Sequence, residues 1–175
     1  QTAAMKWQSR YASIPPKLFI ENRARLRKLL PANSLTVVNA NDVLPTNADG
    51  SLRLVANSDL FYLTGVEQEQ SILLLYPDAH DEKQRELLFI RDLHPDVETW
   101  EGHQLTKAEA RAISGVERVH WRSEFPRLLH RLICESEHVC LNSNEHKRAV
   151  VEVETRESRF VADVMRRYPL HDYHR

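Results

Sequence analysis

The chain has 175 residues, 42% of them apolar and 28% charged, which suits one ordinary domain that needs no disulfide or metal to fold. Lys and Arg number 24 against 25 Asp and Glu, a net charge of −1, so nucleic acid and anionic membrane are not expected as partners, because both call for a basic excess. No run approaches the ~20 apolar residues of a spanning helix, so no membrane partner is expected either.

Residues 1–4, ahead of Met5, read as a remnant outside the domain. Pro15 and Pro16 open a first helix, since proline in a first turn loses no hydrogen bond. Phe19, Leu26, Leu29 and Leu30 form its expected inward stripe, with Glu21, Arg23, Arg25, Arg27 and Lys28 outside. Residues 34–38 form a strand, 39–50 a loop closed by Asp49-Gly50, and 52–55 a brief second strand. Residues 57–65, Asn-Ser-Asp-Leu-Phe-Tyr-Leu-Thr-Gly, read as an aromatic turn with Tyr62 in the core.

The run Ile72, Leu73, Leu74, Leu75 and Tyr76 is apolar on both faces, as a covered central strand should be. Residues 86–90 are its hairpin partner. Thr106 and Glu109 are spaced as a capping box for a short helix. Residues 116–121 form a strand, and Ser123 caps a helix whose inward stripe is Phe125, Leu128, Leu129, Leu132 and Ile133. Residues 138–141 form a further strand and 157–168 a last helix, with Phe160, Val161, Val164 and Met165 inward. Residues 170–175 are polar and give no terminal element. Strands and helices alternate around one hairpin, which predicts an α/β domain of three layers with a mixed sheet flanked by helices.

The chemistry is sparse. Cys134 and Cys140 lie outside any zinc spacing and are expected to be reduced, buried cysteines of a cytoplasmic protein. None of the nine histidines forms a helical metal pair, so they read as surface residues and no metal ligand is assigned; His171 and His174 are expected to be disordered or docked on an absent neighbour. The apolar strands carry no acid, and Asp92, just past residues 86–90, reads as a turn cap. A ribonuclease-H-like strand layout would therefore arrive without that enzyme's acidic cluster. With four glycines, a phosphate-cradling loop is nearly excluded, and no nucleophile motif is present. No catalytic residue is assigned. Trp100, in a polar loop beside Gly102, either folds onto the sheet or contacts a ligand or partner.

Residues 57–65 followed by an apolar strand resemble a hallmark of the N-terminal domain of Xaa-Pro aminopeptidases (aminopeptidase P). Leu88-Phe89-Ile90-Arg91-Asp92 and Glu98-Thr99-Trp100-Glu101-Gly102 continue the resemblance, which spans about residues 11–167. Ala56 stands where the family often has Gln, and His103 and Gln104 where it often has a basic residue.

The resemblance implies the creatinase/prolidase N-terminal-domain fold over residues 5–168, with 169–175 beginning a linker. It implies a parent enzyme that removes an N-terminal residue before proline, using two divalent metals, commonly manganese, in a C-terminal catalytic domain outside these residues. This chain would then be non-catalytic, packing on that domain, mediating a homo-oligomer and walling the substrate cleft. Trp100 is its one expected contact to substrate or a neighbouring subunit. A free-standing protein-binding module of the same fold and a stand-alone histidine metal hydrolase are the other readings.

Overall fold

The computed structural model describes residues 13–93, 103–143 and 153–174. Its six strands are β1 (Ser34–Asn39), β2 (Ile72–Leu75), β3 (Glu86–Ile90), β4 (Arg118–Trp121), β5 (His138–Leu141) and β6 (Asp172–His174), in the order β4-β3-β2-β1-β5-β6. β2 is antiparallel to both β1 and β3, while the other pairs are parallel. One central strand thus runs against the other five, as the hairpin reading required.

The alternation of side chains along the strands sorts the core into two layers. Ile72 and Leu74 of β2 face α4 (Phe125–Glu135) and α5 (Arg156–Arg167), together with Leu35, Val37, Phe89, Leu129, Leu132 and Val164. Leu73 and Leu75 face the opposite layer, with Leu60, Leu63, Leu88, Ile90, Ala110 and Val116. That layer holds α1 (Pro16–Arg27), α2 (Ser58–Thr64) and α3 (Lys107–Ser114).

Residues 57–65 are a two-turn helix rather than an aromatic turn. The Asn57 side chain accepts from the amides of Asp59 and Leu60, and Gly65 ends α2 in the left-handed region at φ 69°. α3 ends in the same way. Thr64 and Ser114 each back-bond a carbonyl four residues earlier, each accepts the amide two residues on, and each precedes a left-handed Gly. Both glycines let α1 lie close. A Cβ at Gly65 would stand 2.4 Å from the Phe19 ring, and one at Gly115 would stand 2.7 Å from Ile20.

Several expectations are corrected. α1 buries Phe19, Asn22 and Arg23, and it ends at Arg27, leaving Leu29 81% exposed. Tyr62 is 54% exposed, because α2 turns Leu60 and Leu63 inward instead. Residues 52–55 form no strand; a single bridge joins Pro45 to Ser51, and Leu52 and Val55 are exposed. Ser123 does not cap α4: it lies in a short turn where its amide and hydroxyl both donate to Asp92. Cys134 is exposed and Cys140 half-buried, both free. The polar tail does form a terminal element, since residues 172–174 extend the sheet beside β5. His171 and His174 are part of that fold: His171 Nε2 lies 2.6 Å from the Ile133 carbonyl.

Candidate functional site

The carboxyl ends of β1, β3, β4 and β5 share one edge of the sheet, which is where open α/β sheets place ligands. Polar residues collect there. Asn39 ends β1, Asp92 follows β3, Arg122 follows β4 and Asn142 follows β5, while the N-termini of α2 and α5 enter beside them.

Glu157, in the first turn of α5, is the buried centre of this edge, 2% exposed. The Asn39 backbone N–H donates to it at 2.7 Å and the Asn39 side-chain amide at 2.9 Å. Burial pushes its carboxyl up to about 7 despite these bonds; Asp59 adds repulsion and Arg156 pulls the other way. Arg156 is committed elsewhere, donating to Asp42 at 2.7 Å, with Arg159 on the second Asp42 oxygen. Burial raises the Asp42 carboxyl, but the two guanidiniums outweigh it and hold the group below the ordinary range. Asn142 donates to Asp59 at 2.8 Å, and Asn57 donates to Asn41 at 3.3 Å. Burial and the nearby Arg156 both disfavour charge on Arg122, which Asp92 supports.

This edge is braced: its acids are paired with arginines, amides or Ser123. Arg91 pairs with Glu69 and Asp92 holds Ser123, so the end of the Leu-Phe-Ile-Arg-Asp motif ties β3 to its neighbours. Asp92 is a turn clamp, as its position suggested.

Trp100, the one expected contact residue, lies outside the described residues, as do His94 and His146. His103 meets Glu109 at 3.0 Å, and Gln104 is buried. Beside residues 57–65, α1 and α2 border an apolar groove of about 510 Å³, lined among others by Ile14, Leu18, Phe61 and Tyr62. One group among the described residues has the composition of a metal-ligand set: His138, Asp172 and His174, across β5 and β6.

Sequence reasoning missed Glu157 and Arg23. The signal was present in both helices. Glu157, Val161 and Val164 fall on one stripe of α5, and Phe19, Asn22, Arg23 and Leu26 on one stripe of α1. A charged residue on an apolar stripe marks a buried charge.

A family model described as "Aminopeptidase P, N-terminal domain" matches residues 19–140. An Xaa-Pro aminopeptidase of Haemophilus influenzae is 27% identical over 122 residues, 70% of this chain and 28% of that protein. A structure of a provisionally assigned aminopeptidase P from Bacillus anthracis superposes with a TM-score of 0.81 at 27% identity, over 92% of this chain and 38% of that one. An Escherichia coli aminopeptidase P variant in complex with substrate gives 0.67 at 25% identity, over 78% and 31%. The Pseudomonas aeruginosa aminopeptidase PepP gives 0.73 at 20% identity, a likeness of fold alone. The chain thus spans about a third of the length of these relatives. The capped α2, the mixed sheet and the matched residues 19–140 agree, and the chain belongs to the aminopeptidase P N-terminal domain family.

Proposed function

We propose that this chain is the non-catalytic N-terminal domain of a metal-dependent Xaa-Pro aminopeptidase, and that it shapes the substrate cleft and mediates oligomer formation. The observation that carries the reading is the family match over residues 19–140 in a chain spanning 28% of its Haemophilus relative. The braced carboxyl edge supports it, since its acids are engaged in holding the fold. The apolar groove at α1 and α2, where Tyr62 is half-exposed, supports a surface that packs on another unit. The two divalent metals, commonly manganese, belong in this reading to the catalytic domain of the parent, which acts in the cytoplasm on peptides with proline second.

Trp100 is the residue proposed to touch substrate or a neighbouring subunit. Trp100→Ala in the full-length parent should lower kcat/KM about tenfold or weaken assembly, the scale of losing one anchoring aromatic. This domain should stay folded, checked by circular dichroism. Wild-type activity together with a wild-type oligomeric state would refute the role of Trp100. A reading frame that ends near Arg175 would sink the parent-enzyme reading as a whole.

A further inference from the structure

The last two strands carry a group that the function above does not use. β6 pairs parallel to β5 with Asp172 beside His138 and His174 beside Cys140. Residues two apart on a strand share a face, so this register sets His138, Asp172 and His174 together on one side of the sheet's edge. His138 Nδ1 lies 3.0 Å from Asp172 Oδ2 and 3.3 Å from His174 Nε2, and His174 Nε2 lies 3.5 Å from Asp172 Oδ2. The two imidazole rings stand at 70° to each other, so they meet by their edges and do not stack.

A single proton on His138 Nδ1 can serve both Asp172 Oδ2 and His174 Nε2, and it leaves the His174 lone pair converging with the carboxylate on one point. A cation at that point would take a lone pair from all three atoms.

The spacing fits one. Tetrahedral ligands about 2.0–2.1 Å from a zinc ion stand roughly 3.3–3.4 Å from each other, and the three distances here are 3.0, 3.3 and 3.5 Å. We propose that His138, Asp172 and His174 form a surface site for a zinc-class divalent cation, with its fourth position open to solvent. Two imidazoles and one carboxylate favour zinc, cobalt or nickel over magnesium or calcium, which prefer all-oxygen shells. The half-buried Cys140 thiol lies beside His174 in register but is not one of the three ligands. The site bridges the edge strand to the strand before it, so the ion would clip residues 172–174 to the sheet. This inference concerns the 175-residue chain itself and does not depend on the parent enzyme.

The test is a metal titration of this chain after treatment with a chelator. Zinc should bind saturably at one ion per chain by calorimetry and raise Tm, and cobalt should show the visible absorption of a four-coordinate ion. His174→Ala and the isosteric Asp172→Asn should each weaken zinc binding at least ~10-fold, since even outer-shell partners carry that much. His80→Ala, at an exposed bend and not one of the three ligands, should bind as the parent chain does. Circular dichroism of the metal-free variants separates lost ligands from lost fold, and Asp172→Asn carries the test if His174→Ala unfolds. No saturable binding, or equal binding by Asp172→Asn and the unchanged chain, would overturn the site.

Discussion

Among the described residues, each helical layer buries one acidic or basic side chain, and the two are handled in opposite ways. Arg23, in α1, is fully buried and has a counter-ion. Its guanidinium takes both oxygens of Glu86 at 2.8 and 3.2 Å, and donates to the carbonyls of Leu63 at 2.7 Å and Ser114 at 2.9 Å. Those carbonyls lie at the C-terminal ends of α2 and α3, where a helix leaves acceptors unpaired and favours positive charge. One side chain therefore ties three helices to β3. Glu157, in α5, is nearly as buried, but its direct partners are the two N–H donors of Asn39. A buried cation with a carboxylate is a fixed pin; a buried carboxylate with only amides is a group that titrates.

Removing the pin should have the largest effect. Arg23→Met leaves two helix-end carbonyls and Glu86 without their donor, although Arg27 still reaches Glu86 at 3.4 Å. Breaking a buried pair on one side destabilises by about 3–5 kcal/mol. Urea unfolding should show a loss near the lower end of that range, given the remaining Arg27 contact. A loss below about 1 kcal/mol would mean that α1 is held by packing alone.

The titrating group comes next. A Glu157 carboxyl at about 7 in the folded chain, against an ordinary 4.5, binds a proton over a window where the unfolded chain has released it. Stability should therefore fall as pH rises from about 4.5 to 7 and level off above, the reverse of an ordinary paired carboxylate. A gap of that size corresponds to about 3 kcal/mol. Glu157→Gln should flatten this window and be more stable than the parent chain at pH 8, with little difference near pH 4. Parallel stability curves for the two chains would show that Glu157 carries no unfavourable charge.

Much of this architecture is legible in the sequence where local chemistry and tertiary structure agree. The apolar run at β2 is a strand buried on both faces, as its composition suggested, and the Thr106–Glu109 spacing is a capping box in the structure. The inward stripe of α4 is buried residue for residue. Legibility fails where a distant partner decides. Arg23 sits on the apolar stripe of α1, but its partners Glu86, Leu63 and Ser114 arrive from three other elements that the local pattern does not show. Leu29 looks like core until the helix stops two residues before it. β6 is invisible because Asp-Tyr-His has no strand pattern; its backbone is held by β5, and the Tyr173 hydroxyl donates to the Tyr168 carbonyl at 2.7 Å. The convergence of His138, Asp172 and His174 depends on that pairing, so residues 34 positions apart gave no signal. Trp100, singled out by its polar loop and by the family resemblance, lies outside the described residues.

The smallest expected effect sharpens the contrast at the carboxyl edge, where neutral amides do what Arg23 does on the other face. Asn57 caps α2 through one side-chain oxygen that accepts at 3.0 Å from both Asp59 and Leu60, and its amide donates to Asn41. Asn57→Ala removes all three contacts at a buried position. Losing an N-cap costs about 1 kcal/mol, within a range of 0.5–2. Asn57→Ser keeps an acceptor for the two helix amides but loses the bond to Asn41, so its cost isolates that bond. If Ser recovers most of the loss in thermal unfolding, the cap is what Asn57 supplies, and α2 begins correctly without the link to Asn41. If Ser is as poor as Ala, the Asn57–Asn41 link is the working contact, and this edge is a network of amides that braces as Arg23 does. The two outcomes separate a local helix signal from a long-range tie at the first residue of the family's hallmark.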